Sequence, residues 1–87
     1  MWKIRRESHF TKQYKLLGRE RQKRVDSALL DLATAENPAK RGEYKPNLRI
    51  FAYELGKGDR IIYTIDYQQN TIILIRVCDH KSVYGKD

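Results

Sequence analysis

Three residues near the ends of predicted strands have side chains suited to chemistry at a phosphate. Arg60 follows a Gly-Asp turn and opens a strand, where its guanidinium can donate two parallel hydrogen bonds to a phosphate. His80 follows the last predicted strand, and an imidazole suits proton transfer at neutral pH. Tyr84 comes four residues later, where a phenol can stack on a base, donate a proton or cover the core.

Two of these residues also have an ordinary structural interpretation. Arg60 could form an ion pair with Asp59, Asp66 or another acid, and His80 could be an exposed loop histidine. Residue types and spacing by themselves leave these alternatives open.

Several classes of chemistry lack their motifs in this sequence. It has no glycine-rich phosphate loop followed by Lys-Ser or Lys-Thr, no His-Glu-x-x-His and no Gly-x-Ser-x-Gly. A single cysteine, Cys78, excludes an internal disulfide, and with only two histidines it makes a structural metal site improbable. We therefore expect no metal and no cofactor.

The positive charge is concentrated in the first quarter of the chain. The net charge of the 87 residues is +7. Residues 1–24 contain nine bases and two acids, whereas residues 25–87 contain nine of each. Such clustering favours a polyanionic partner, either nucleic acid or an acidic protein, over a face that is charged only for solubility.

The length and hydropathy indicate one small α+β domain spanning residues 1–87. No apolar run is long enough to cross a bilayer, and no signal peptide is visible, so a cytoplasmic protein is expected. The periodicity predicts a strand at residues 2–6, helices at 8–17 and 19–35, and a meander of strands at 48–55, 60–67 and 71–78.

These elements define a two-layer fold of the order β-α-α-β-β-β. Ser8 is expected to cap the first helix and Gly18 to end it in a left-handed conformation. The helical hairpin should cover one face of an antiparallel sheet, with the last strand in its interior and the other face open. Residues 39–46 are expected to form a polar loop. The predicted core joins helix residues to isoleucines of the sheet: Phe10, Tyr14, Leu17, Val25, Leu29 and Leu32 with Ile61 or Ile62, Ile65, Ile73 and Ile75.

Two motifs give the chain a family resemblance. Gly-Asp-Arg-Ile-Ile-Tyr occupies residues 58–63, and His-Lys-Ser-Val-Tyr follows about twenty residues later at 80–84. With Phe10 in the first helix, the Asn37-Pro38 break and the strand at Leu48, their order over the whole chain resembles the RelE/ParE superfamily of toxins from type II toxin–antitoxin systems.

The resemblance implies a function and roles for particular residues. The RelE-like branch cleaves mRNA, usually in the ribosomal A site and without a metal. In that branch a strand-start arginine holds the scissile phosphate, which corresponds to Arg60. A histidine four residues before a terminal aromatic corresponds to His80 and Tyr84.

The sequence departs from RelE in the region that corresponds to RelE's second strand. RelE carries paired lysines there, whereas this chain has Ala52, Tyr53 and Glu54. The second acid–base group is therefore open among Glu54, Lys81 and Tyr84.

Partners also follow from the resemblance. Arg49, Lys57, Lys81 and Lys45 are expected to bind RNA, and the basic N-terminal quarter is expected to contact ribosomal RNA or a cognate acidic antitoxin. The leading hypothesis is a ribosome-dependent mRNA endonuclease toxin. The alternatives are a ParE-like toxin that inhibits DNA gyrase without catalysis and a non-toxic RNA-binding relative.

Overall fold

The computed structural model describes residues 1–79, which form a five-stranded sheet with two helices. The sheet has the strand order β1-β5-β4-β3-β2. The elements in chain order are β1 (Lys3–Arg6), α1 (Ser8–Leu16), α2 (Arg19–Thr34), a 3-10 helix (Pro38–Lys40), β2 (Glu43–Lys45), β3 (Ile50–Gly56), β4 (Asp59–Asp66) and β5 (Thr71–Asp79).

The α+β prediction is confirmed, but the sheet is mixed instead of wholly antiparallel. Strands β2 to β5 run antiparallel to their neighbours, whereas β1 pairs in parallel with β5. Because β1 and β4 flank it, β5 lies in the interior of the sheet as predicted, which agrees with its apolar residues on both faces.

The prediction of a polar loop at residues 39–46 is wrong, because this segment contains most of the 3-10 helix and strand β2. The Asn37 side chain accepts a hydrogen bond from the Ala39 amide and caps the 3-10 helix. Strand β2 then pairs with β3, and the rings of Tyr44 and Phe51 contact each other with centroids 5.1 Å apart. A three-residue strand is too short to show a period of two, so cross-strand pairing alone reveals it.

Both helix-end predictions are also wrong. Glu7 precedes α1 with extended backbone and makes no side-chain capping bond, so Ser8 is the first helical residue. Gly18 has φ of -67° and ψ of 162°, which is extended, and it is the N-cap residue that precedes α2 instead of ending α1 in a left-handed conformation. Neither helix of residues 1–79 combines the length and apolar character that a membrane crossing requires.

The main core lies between the helices and one face of the sheet. On the helical side, Phe10, Val25, Leu29 and Leu32 are buried as predicted, and Tyr14 and Leu17 pack against them half-buried. Burial of each large apolar side chain contributes about 1.5–3 kcal/mol. The sheet side of this core consists of Ile61, Tyr63, Ile72, Leu74 and Val77, with Ile65 partly buried beside them.

A bulge in β5 decides which of its side chains face the helices. Ile62 pairs with Arg76 and Tyr63 pairs with Leu74, so Ile75 is an extra residue on β5. An extra residue reverses the alternation of faces along the rest of the strand. Arg76 therefore lies beside Ile62 on the face opposite the helices.

The same bulge explains an error in the predicted core. Ile73 and Ile75 were expected beneath the helices, but Ile72 and Leu74 occupy that position before the bulge and Val77 after it. Ile75 instead packs near Ile62 in a second, smaller cluster.

Candidate active site on the open face of the sheet

Arg60 lies at the start of β4 on the face opposite the helices. It pairs with Glu54 of β3 and, through the backbone, with Cys78 of β5. Because strand side chains alternate, Arg60 shares its face with Ile62, while Ile61 points into the helical core. The open face expected from the sequence thus contains the predicted phosphate-binding arginine.

The Arg60 guanidinium is poorly exposed and only partly paired. Its Nη2 lies 3.3 Å from Oε2 of Glu54, and its side chain is 14% exposed. Its Nε is buried and has no hydrogen-bond partner within residues 1–79. Since the Glu54 side chain is 60% exposed, solvent screens its charge and weakens this ion pair. A phosphate can accept parallel hydrogen bonds from the same guanidinium.

Asp59 is excluded as the partner of Arg60, because it points to the opposite side of the sheet. Its carboxylate accepts two hydrogen bonds from Arg21, at 2.8 Å from Nε and 2.7 Å from Nη2. Arg24 approaches the same carboxylate to 3.6 Å, and Asp59 is only 6% exposed. This arrangement, which we call the Arg21–Asp59 clip, attaches the start of β4 to α2.

The Arg21–Asp59 clip lies next to the last described residue of the chain. Asp59 pairs through the backbone with Asp79, the residue before His80. Sequence reasoning missed Arg21 and treated it as part of the basic cluster. The alternation of side chains along a strand was the signal that could have shown it. If Arg60 points to the open face, its neighbour Asp59 must point to the face covered by the helices.

The three residues in place of the RelE lysines have different surroundings. Tyr53 packs in the main core and donates a hydrogen bond of 2.7 Å to Asp31 of α2. Burial and this bond raise the pKa of Tyr53 to about 12, which does not suit proton transfer near neutrality. Ala52 is buried and carries no reactive group. Of these three residues, only Glu54 forms an ion pair with Arg60.

Three further predicted RNA-binding cations lie within the described residues, at the end of β2 and in the segments before and after β3. Arg49, before β3, and Lys57, between β3 and β4, are exposed, and both have φ of 55°. Lys45 is less exposed and lies 3.2 Å from the Glu43 carboxylate. Lys57 is three residues from Arg60 along the chain, whereas Lys45 and Arg49 lie at the β2–β3 end.

His80, Lys81 and Tyr84 lie outside the described residues. Their convergence with Arg60 in one groove therefore stays a prediction. Its structural basis within residues 1–79 is the register of β4 and β5, which places the end of β5 next to the start of β4.

The basic N-terminal quarter is exposed, as expected. Eight of its nine cations are exposed, and Arg24 is half-buried. Part of this charge has a structural role, since Arg5 lies 3.7 Å from Glu7, and both Arg21 and Arg24 approach Asp59. The exposed remainder can act on a polyanionic partner.

Comparisons with known proteins test the resemblance. No protein-family model and no curated protein matches this sequence. Among solved structures, a metal-bound toxin from Helicobacter pylori has a TM-score of 0.75 at 27% identity, covering 95% of this chain and 99% of that one. A double mutant of the E. coli toxin RelE in the free state has a TM-score of 0.79 at 14% identity, covering 98% and 92%.

A third structure shows the same architecture in a complex. The YoeB-YefM complex from Staphylococcus aureus contains a chain with a TM-score of 0.68 at 20% identity, covering 92% of this chain and 98% of that one. This chain has the RelE-like toxin fold. The resemblance indicated by the sequence motifs is thereby confirmed at the level of the fold.

Within residues 1–79, no three His, Cys, Asp or Glu side chains are grouped so that they could hold a metal ion.

Proposed function

We propose that this RelE-like chain is the toxin of a toxin–antitoxin pair and cleaves mRNA on the ribosome. The observation that carries the proposal is Arg60, which lies on the open face of the sheet beside the exposed Glu54 carboxylate and whose buried Nε has no hydrogen-bond partner among residues 1–79. The fold shared with RelE and with the chain of the YoeB-YefM complex supports the toxin assignment.

The proposed reaction requires three groups around one phosphate. A base removes the proton of a 2′-OH, the 2′-oxygen bonds to phosphorus, and the bond from phosphorus to the 5′-oxygen breaks. The products are a 2′,3′-cyclic phosphate and a 5′-hydroxyl, whose oxygen receives a proton from an acid. Arg60 stabilises the charge that develops on the phosphate oxygens.

The proton-transfer roles fall to a carboxylate and an imidazole. Glu54 is favoured as the second acid–base group over Lys81 and Tyr84, because its carboxylate lies 3.3 Å from the Arg60 guanidinium. A phosphate bound by Arg60 would therefore be within reach of Glu54. His80 is proposed as the group that protonates the leaving oxygen, and Tyr84 is proposed as a further residue of the site.

The surroundings of the site suit the proposed partners. Exposed cations of residues 1–24 would attract the ribosomal RNA backbone or an acidic antitoxin segment, and Arg49, Lys57, Lys81 and Lys45 would contact RNA nearer the site. The reaction as proposed uses no metal or cofactor and takes place in the cytoplasm, where ribosomes act.

Primer extension on mRNA after induced expression tests the proposal. Cleavage in register with codons is expected for the unmodified chain, and Arg60→Ala or His80→Ala should reduce it by about 100-fold or more. Glu54→Gln should reduce it similarly while preserving the fold.

Arg41→Ala is the matched control. Like Arg60, Arg41 makes an ion pair with one carboxylate, but its partner is Asp31 of α2, at 3.6 Å. This substitution should leave cleavage unchanged. Growth arrest with every mRNA uncut would instead favour gyrase inhibition, and neither arrest nor cleavage would favour the non-toxic RNA-binding relative. Full cleavage by His80→Ala would remove His80 from the mechanism.

A further inference from the structure

An apolar cleft lies on the open face of the sheet, next to Arg60. Its volume is about 230 Å³, and its walls combine aliphatic side chains from three segments with one guanidinium: Leu48, Ile50, Ile62, Ile75 and Arg76. Ile62 is 4% exposed even though neither α1 nor α2 covers this face, because its neighbours enclose it. The cleft thus combines an apolar surface with the positive charge of Arg76.

The β5 bulge creates the cleft. The extra residue places Ile75 in the small cluster with Ile62 and brings Arg76 opposite Ile62 on the same face. Without it, Arg76 would point toward the helices and the cleft would have no cation.

The cleft lies at a short distance from the proposed phosphate position. Arg60 and Ile62 are two residues apart on β4 and share a face, which separates them by about 7 Å along the strand. A nucleotide whose phosphate is held by Arg60 would place its sugar and base over the neighbouring surface.

The chemistry of the cleft suits a flat ring better than a protein segment. It is smaller than the roughly 300–1,000 Å³ typical of ligand pockets, and it has one guanidinium beside aliphatic side chains. Guanidinium planes stack on unpaired bases and also hydrogen-bond to base edges, whereas aliphatic side chains contact the ring face. An amphipathic helix would need a longer groove.

We propose that this cleft is a nucleobase subsite, which binds the unpaired base next to the phosphate held by Arg60, with Arg76 as the residue that contacts the base. The subsite rests on the proposed function for its substrate, single-stranded RNA. It adds a determinant of base preference within the chain itself.

Methyl NMR with a non-cleavable RNA tests the subsite without relying on catalysis. The probe is a 2′-O-methyl trinucleotide, compared with the same trinucleotide carrying one abasic position. The intact probe should shift the δ1-methyl signals of Ile62 and Ile75, and the abasic probe should not. Ile72, which is fully buried on the helical face, is the control signal and should stay unmoved.

Affinity measurements identify the residue that contacts the base. Arg76→Gln should weaken binding of the intact probe about tenfold and leave binding of the abasic probe unchanged, since the abasic probe has no base for Arg76 to contact. Leu48→Ala, at an exposed rim position, should weaken the intact probe more modestly and is expected to fold normally. Thermal unfolding of both variants provides the check on folding.

The outcomes separate this inference from the proposed function. Equal methyl shifts from intact and abasic probes would overturn the subsite even if mRNA is cleaved. Base-dependent shifts in a chain that cleaves no mRNA would uphold the subsite and contradict the nuclease. Shifts caused by an acidic peptide but by neither RNA would assign the cleft to protein docking and overturn the proposal.

Discussion

Removal of the Arg21–Asp59 clip should destabilise the domain far more than removal of an exposed ion pair. The perturbation is Arg21→Met, which keeps the aliphatic stem and removes the guanidinium. Asp59 is 6% exposed and would lose two charge-assisted hydrogen bonds of 2.8 and 2.7 Å. The substitution lowers the free energy of unfolding, because the buried, charged carboxylate is left without these two donors.

The size of the effect follows from burial. Breaking a buried ion pair by removing one partner costs about 3–5 kcal/mol. Because the Arg21 side chain is 44% exposed and Arg24 stays 3.6 Å from the carboxylate, the lower end is expected, about 3 kcal/mol. A domain of this size has a total stability of about 4–13 kcal/mol. The melting temperature should therefore fall by about 12–24 °C.

The assay is thermal and urea unfolding followed by circular dichroism. The matched control is Arg41→Met, which breaks a 3.6 Å ion pair between side chains that are 52% and 37% exposed. Such a pair is worth less than about 1 kcal/mol. Equal losses for Arg21→Met and Arg41→Met would refute the reasoning, since they would show that Arg24 or solvent already compensates Asp59.

Two further predictions concern pH and salt. The folded state holds the phenolic proton of Tyr53 more tightly than the unfolded state, because burial and the hydrogen bond to Asp31 raise its pKa to about 12. This contribution is present below pH of about 10 and lost between about 10 and 12, so Tyr53→Phe should flatten the alkaline fall in urea-unfolding stability relative to the unmodified chain. Binding to ribosomes or RNA should weaken steeply between low and physiological salt, and a binding constant that barely changes would leave the exposed cations of residues 1–24 without their proposed role.

Local patterns predicted most of the secondary structure because each pattern is a property of one segment. The helical spacing of Val25, Leu29 and Leu32 marks the buried face of α2, and all three are buried. Alternation along β4 likewise separates Ile61 from Ile62, which lie in different clusters. The motifs at residues 58–63 and 80–84 indicated a RelE-like chain, and the fold agrees.

Local sequence patterns did not predict which segments pair with each other. Strand β2 is recognisable only through its partner β3, since three residues carry no period of their own. The ion-pair partner of Arg60 was open among several acids, and the register of β3 against β4 selected Glu54. The role of Arg21 depends on how α2 lies across the start of β4.

The sequence by itself therefore determined both helices, the buried face of α2, the strands other than β2 and the position of Arg60 at a strand start. Tertiary structure alone decided which residues meet on the open face. The bulge at Ile75 shows the physical reason: alternation within a strand is local, but one extra residue opposite β4 reverses every following side chain. That reversal moves Arg76 to the face of Arg60 and Ile62, and only the pairing of two strands distant in sequence specifies it.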